Sequence, residues 1–144
     1  MNLSKINFYS ENEFNLEDEA RYASWIENVI TSEGKSLEEI SYIFCDDEYL
    51  LKINMEYLDH DTYTDIVTFD YSVGKTLHGE IYISTERVHE NSETFGVKFE
   101  DELRRVLVHG VLHLSGYNDK TEEEAALMRS KEEEKMELFH VEQS

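Results

Sequence analysis

Two histidines four residues apart, followed by a glycine and then a carboxylate, are the residues of this chain whose types and spacing could do chemistry. The segment is His109-Gly-Val-Leu-His113-Leu-Ser-Gly116-Tyr-Asn-Asp119. On a helix, positions i and i+4 lie one above the other, so both imidazoles reach one ion. Gly116 lets the chain reverse after the helix, and the residue three places later can return to the same ion. His109, His113 and Asp119 then form a three-ligand set that leaves a fourth position for water, the arrangement of a catalytic zinc. Nickel, cobalt or iron suit the same donors, and affinity order does not select among them. His109 and His113 are the candidate catalytic residues as well as ligands.

The elements that must position this segment are legible from periodicity. Leu103, Val106, Leu107, Gly110, Val111 and Leu114 form one apolar face of a helix from about Glu100 to Ser115, with the two histidines on its edge. Gly116 is the expected stop, and Thr121-x-x-Glu124 reads as a capping box that opens a last charged helix. That helix packs a thin stripe through Ala125, Met128, Met136 and Phe139, and its EEEKME stretch reads as a solvated face. Upstream, Leu3–Tyr9, Ser41–Cys45, Asp65–Tyr71 and Glu80–Ser84 read as strands, the last two joined by a loop around Gly74 and Gly79. Helices are expected from about Leu16, after Asp46 and after Ser84, and no strand is expected in the last third. The fold class is therefore α+β: one domain over 1–144, a small mixed sheet of about four strands covered by helices.

Composition limits the rest. The 144 residues carry 13 basic and 33 acidic side chains, a formal charge of −20. Bulk attraction to nucleic acid or anionic membrane is excluded by that balance. Cys45 is the single cysteine, so no internal disulfide partner exists and a reducing compartment is the simple expectation. The opening MNLSKINFYSENEF has no apolar h-region, so no signal peptide is expected. No apolar run approaches a membrane span. A cytoplasmic protein is the expectation.

The histidine segment also resembles the zinc-peptidase pattern H-E-x-x-H-x-x-G-x-x-H/D, but Gly110 stands where the peptidase needs a glutamate to deprotonate water. HGVLHLSGYND is more similar to the signature of the YbeY family of rRNA maturation factors, H-G-x-L-H-L-x-G-Y-D-H. Asn54–Phe69 (NMEYLDHDTYTDIVTF) and Gly79–Ser84 (GEIYIS) resemble two further blocks of that family. The resemblance implies a metal-dependent, single-strand-specific endoribonuclease acting in small-subunit rRNA maturation and ribosome quality control. It carries the metal site over to His109, His113 and Asp119.

Three departures stand out. The third ligand is usually histidine and is Asp119 here, which adds a negative charge and weakens the metal as a Lewis acid. The family's arginine in the central block falls on Leu58, which removes a fork for phosphate oxygens. Flanking prolines are Tyr63 and Asp70. His60 is either a replacement cation or a solvated loop residue, and Thr64 and Asp65 either contact substrate or are ordinary strand-edge residues. Arg104 and Arg105 are read as salt-bridged surface residues pointing away from the histidine edge. The acidity leaves two routes to ribosomal RNA: a local basic strip, or presentation of RNA by the small subunit through a basic ribosomal protein, the preferred one. The alternative function is a ribosome-assembly binding module whose metal is structural; a zinc peptidase ranks last.

Overall fold

A computed structural model describes residues 5–58 and 64–141, with side chains described to residue 139. His60 and Tyr63 lie outside the described residues. The elements are β1 (Ile6–Ser10), α1 (Glu19–Ser32), β2 (Ser36–Cys45), α2 (Asp47–Leu58), β3 (Ile66–Asp70), β4 (Thr76–Ser84), α3 (Thr85–Phe95), α4 (Phe99–Leu114) and α5 (Glu122–Val141). The sheet runs β1-β2-β4-β3; the first three strands are parallel and β3 is antiparallel to β4. A mixed four-stranded sheet with helices on it is the expected α+β class.

Strand alternation assigns the two faces. Ile40, Tyr42, Phe44, Ile81 and Ile83 point into the main core, where Trp25, Ile26, Val29 of α1 and Val106, Leu107, Val111 of α4 meet them. Cys45, Leu50 and Val67 make a smaller cluster on the other face, under α2. α5 closes the helical layer, and the buried Trp25 donates its indole N–H to the Lys135 carbonyl at 2.8 Å. Gly110 brings α4 close to the sheet: a Cβ there would lie 3.0 Å from two Ile81 carbons and 3.1 Å from Ile66 Cδ1. Tyr42, fully buried in β2, donates its hydroxyl to the Leu107 carbonyl at 2.8 Å, a further tie between sheet and helix.

Several element ends differ from expectation for local reasons. α1 starts at Glu19 because Asp18 takes a left-handed conformation (φ 62°, ψ 45°), which a helix interior does not admit. β2 begins at Ser36, five residues early; Glu38 and Glu39 interrupt the apolar run, yet the backbone pairs with Thr76–Gly79. β4 correspondingly starts at Thr76, directly after a turn at Gly74 (φ 60°) closed by Val73 and Thr76. Among the described residues no strand follows β4, and no helix is long and apolar enough to cross a membrane.

Candidate metal centre

The site begins where α4 ends. Gly116 (φ 109°) allows the Tyr117 N–H to bond the Leu112 carbonyl at 3.0 Å and the Gly116 N–H to bond His113 O at 3.0 Å. This is the glycine-dependent reversal that ends many helices. The chain then runs back past the helix end to Asp119. The capping box is present: Glu124 N–H donates to Thr121 Oγ1 at 3.0 Å and Thr121 N–H to Glu124 Oε1 at 3.1 Å. Asp119 is thus held between two capped helix ends.

His109, His113 and Asp119 converge. Nε2 of His109 and Nε2 of His113 are 3.0 Å apart, and Asp119 Oδ2 lies 3.3 Å from the first and 3.4 Å from the second. A tetrahedral ion with bonds of about 2.0–2.1 Å separates its ligands by roughly 3.3–3.4 Å. The triangle therefore has the dimensions of one face of such a polyhedron.

Hydrogen bonds at the far side of each ring decide what fills it. His113 Nδ1 faces the Tyr117 carbonyl at 3.0 Å, and His109 Nδ1 faces Glu132 Oε2 at 2.5 Å. Both partners are acceptors, so Nδ1 carries the proton in each neutral ring and each Nε2 presents a lone pair. Two lone pairs and a carboxylate oxygen then face one another, an arrangement that a cation relieves. Glu132 also accepts from Arg105 Nη1 at 3.2 Å, and Arg105 forms a fork with Glu102 through Nε at 3.0 Å and a shorter Nη2 contact. Glu102 and Glu132 are 2% and 3% exposed. The hydrogen bond to Glu102, more than any other contact, pushes the Arg105 guanidinium above its usual range and keeps it charged. Three carboxylates (Asp119, Glu132, Glu102) against one guanidinium leave two negative charges in excess, the charge a divalent ion neutralises. The group could hold a metal ion.

Glu132 joins the site without having been expected there, and Arg105 sits otherwise than expected. The EEEKME stretch is not a solvated face: Glu132 and Lys135 are each 3% exposed. The signal was available, since 128, 132, 135 and 139 continue one helical stripe between Met128 and Phe139. Arg105 does not point away from the histidines; four residues before His109, it lies beneath it on the same face. Arg104 does turn away, to Asp101 at 2.6 Å and over the Phe139 ring.

A second network fixes Tyr117. Its hydroxyl donates to Glu33 Oε1 at 2.6 Å, and Lys131 and Lys135 reach Glu33 Oε2 at 3.2 and 2.7 Å. Burial alone would raise the Glu33 carboxyl, but the bonds from Lys135, Tyr117 and Lys131 hold it at about 2. The carbonyl that orients His113 therefore belongs to a residue anchored to α1 and α5.

His113 opens onto a cleft of about 590 Å³ lined also by Asn54, Leu58, Thr64, Thr68, Asp70 and Lys120. His109 and Asp119 border a smaller groove of about 160 Å³ with Arg105, Arg129 and Glu132.

The family model described as Endoribonuclease YbeY matches residues 6–140. This chain belongs to the YbeY endoribonuclease family. A Christiangramia forsetii relative named Endoribonuclease YbeY is 62% identical, over 99% of this chain and 100% of its own. A Flavobacterium psychrophilum relative of the same name is 57% identical, over 96% and 99%. The solution structure of TM1509 from Thermotoga maritima is similar with a TM-score of 0.70 at 27% identity, covering 95% of this chain and 90% of that one. Two departures from the family signature now have positions: Asp119 completes the triangle, and Leu58, 39% exposed, lies on the cleft wall.

Proposed function

We propose that this YbeY-family chain is a metal-dependent endoribonuclease that cuts single-stranded ribosomal RNA during small-subunit maturation and quality control. The observation that carries the reading is the three-atom triangle with both imidazoles locked as Nδ1–H tautomers. His109, His113 and Asp119 would hold the ion, zinc in this reading, with nickel, cobalt or iron open to the same donors. When bound, such an ion supplies Lewis-acid polarisation of a phosphoryl oxygen and an acidified water.

The chain's own groups do the rest. Glu132 and the Tyr117 carbonyl hold the imidazoles in place, so the site needs little rearrangement on binding. The cleft beside His113 has the volume of a small-ligand pocket. Asn54, Thr64 and Thr68 offer it polar groups, while Leu58 offers an apolar wall. Gly110, pressed against Ile81 and Ile66, leaves no room for the glutamate of a zinc peptidase. The acidic exterior suits docking on the small subunit through a basic ribosomal protein, in the cytoplasm.

Elemental analysis of the purified protein, paired with cleavage of single-stranded RNA with and without chelator, tests this. His113→Ala is expected to lose bound metal and cleavage together. Cleavage that persists in metal-stripped protein would overturn the mechanism.

A further inference from the structure

With 33 acidic residues against 13 basic ones, most of the surface repels RNA, so the few free cations near the triad carry information. Most basic side chains around the helical layer are occupied internally. Arg105 is paired with Glu102 and Glu132, Arg104 with Asp101, and Lys131 and Lys135 with Glu33. Lys120 and Arg129 differ: both are exposed, and neither forms an ion pair among the described residues. Lys120 lines the larger cleft with His113, and Arg129 lines the smaller groove with His109 and Asp119. One cation therefore stands on each side of the triad.

We infer that Lys120 and Arg129 hold two phosphodiester groups of a single RNA strand laid across His109, His113 and Asp119, Lys120 on the cleft side and Arg129 on the groove side. The inference rests on the ribonuclease reading and extends it by naming the residues that grip the substrate backbone. Both residues are set by one well-anchored element. The Lys120 backbone N–H bonds Glu124 Oε1 at 3.2 Å, which fixes it at the start of α5. Arg129 follows Met128, 2% exposed in the core, and lies three residues before Glu132, the partner of His109. The chemistry fits the place. Arg129 offers a planar fork to two phosphate oxygens, and Lys120 a mobile point charge. Lys120 also adds a positive charge next in sequence to Asp119, and supplies within the same cleft the cation that Leu58 lacks. Local positive charge beside the triad answers the acidity without requiring another protein to present the strand.

The test measures binding rather than turnover. The affinity of the zinc-loaded full chain for a short fluorescein-labelled single-stranded RNA is followed by anisotropy over a range of salt. Removing one cation from a phosphate should reduce the log–log salt slope by about 0.7, so Lys120→Gln and Arg129→Gln should each show a slope shallower by about that much and the double variant by roughly 1.4. Over a fourfold rise in salt, a slope shallower by about 0.7 makes the decline in affinity about 2.6-fold smaller. Lys120→Arg should keep the wild-type slope. Lys98→Gln serves as control, because Lys98 precedes α4 and lies eleven residues, about 16 Å of helix, from His109. Wild-type slopes in both variants, with wild-type protein binding RNA, would overturn the track and leave the ribonuclease reading standing. Wild-type protein that binds no single-stranded RNA would overturn both.

Discussion

Glu132 accepts the Nδ1–H of His109 at 2.5 Å, from a different helix and 23 residues further along the chain. A buried carboxylate behind a ligating imidazole fixes the tautomer, aims the lone pair and raises the basicity of the ligand. It is itself braced by Arg105, which Glu102 holds from the first turn of α4. α5 is thus part of the site through Glu132, although the three candidate ligands lie outside this helix.

Removing that carboxylate should loosen metal without removing a ligand. Glu132→Gln is expected to weaken zinc binding by about 10- to 100-fold, the usual range for such outer partners. Competition against a chromogenic chelator measures it. His113→Ala, which deletes a proposed ligand, should fall below detection in the same assay. Wild-type zinc affinity in Glu132→Gln would reduce Glu132 to a packing role.

Gly110 decides between hydrolase classes on steric grounds. Its missing Cβ would meet Ile81 and Ile66 at 3.0–3.1 Å. Gly110→Ala sets an overpacking cost of about 1–3 kcal/mol against a helix-propensity gain of about 1. Gly110→Glu forces a carboxylate between isoleucines and should destabilise the fold by at least about 3 kcal/mol. Urea unfolding midpoints check both. A Gly110→Glu protein of wild-type stability would contradict the close packing of α4 on β3 and β4.

The same packing explains how much was legible in the sequence. The apolar face of α4, the His109–His113 spacing, the Gly116 stop and the Thr121–Glu124 box are local patterns, and each is present in the fold. What escaped was long-range. Glu132 and Lys135 look like surface charges until Arg105, His109 and Glu33, from other helices, are seen to pair with them. The first half of β2 escaped because Glu38 and Glu39 break the apolar run, whereas strand pairing there is a backbone property. The early start expected for α1 failed on one residue, Asp18, whose left-handed backbone carries no compositional signal.

Acid should disassemble the anchor of Tyr117. Glu33 is held at about 2, against 4.5 when unperturbed. A depressed carboxyl stabilises the fold fully above its unfolded value, and that contribution disappears as pH falls from about 4.5 towards 2. The amount is on the order of 2 to 3 kcal/mol. Glu33→Gln should remove this part of the acid sensitivity and lower stability at neutral pH by a similar amount. Equal loss of stability for variant and wild type across that window, measured by urea titration, would contradict the assignment.

Leu58 offers a gain-of-function test of the same cleft. Its side chain lines the same cleft as Lys120, so a guanidinium introduced there should add a phosphate contact. Leu58→Arg is therefore expected to steepen the salt slope of RNA binding by about 0.7. Its informative use is in the Lys120→Gln background. If a phosphate is held at this point of the cleft, either cation serves, and the double variant should recover the RNA affinity and kcat/KM that Lys120→Gln alone gives up. If Lys120 acts only by balancing the charge of Asp119, a cation at position 58 restores neither. If the metal is purely structural and catalysis has decayed with the family arginine, Leu58→Arg alone should create cleavage where the wild-type protein has none. Steady-state cleavage of one RNA by the four proteins separates these outcomes.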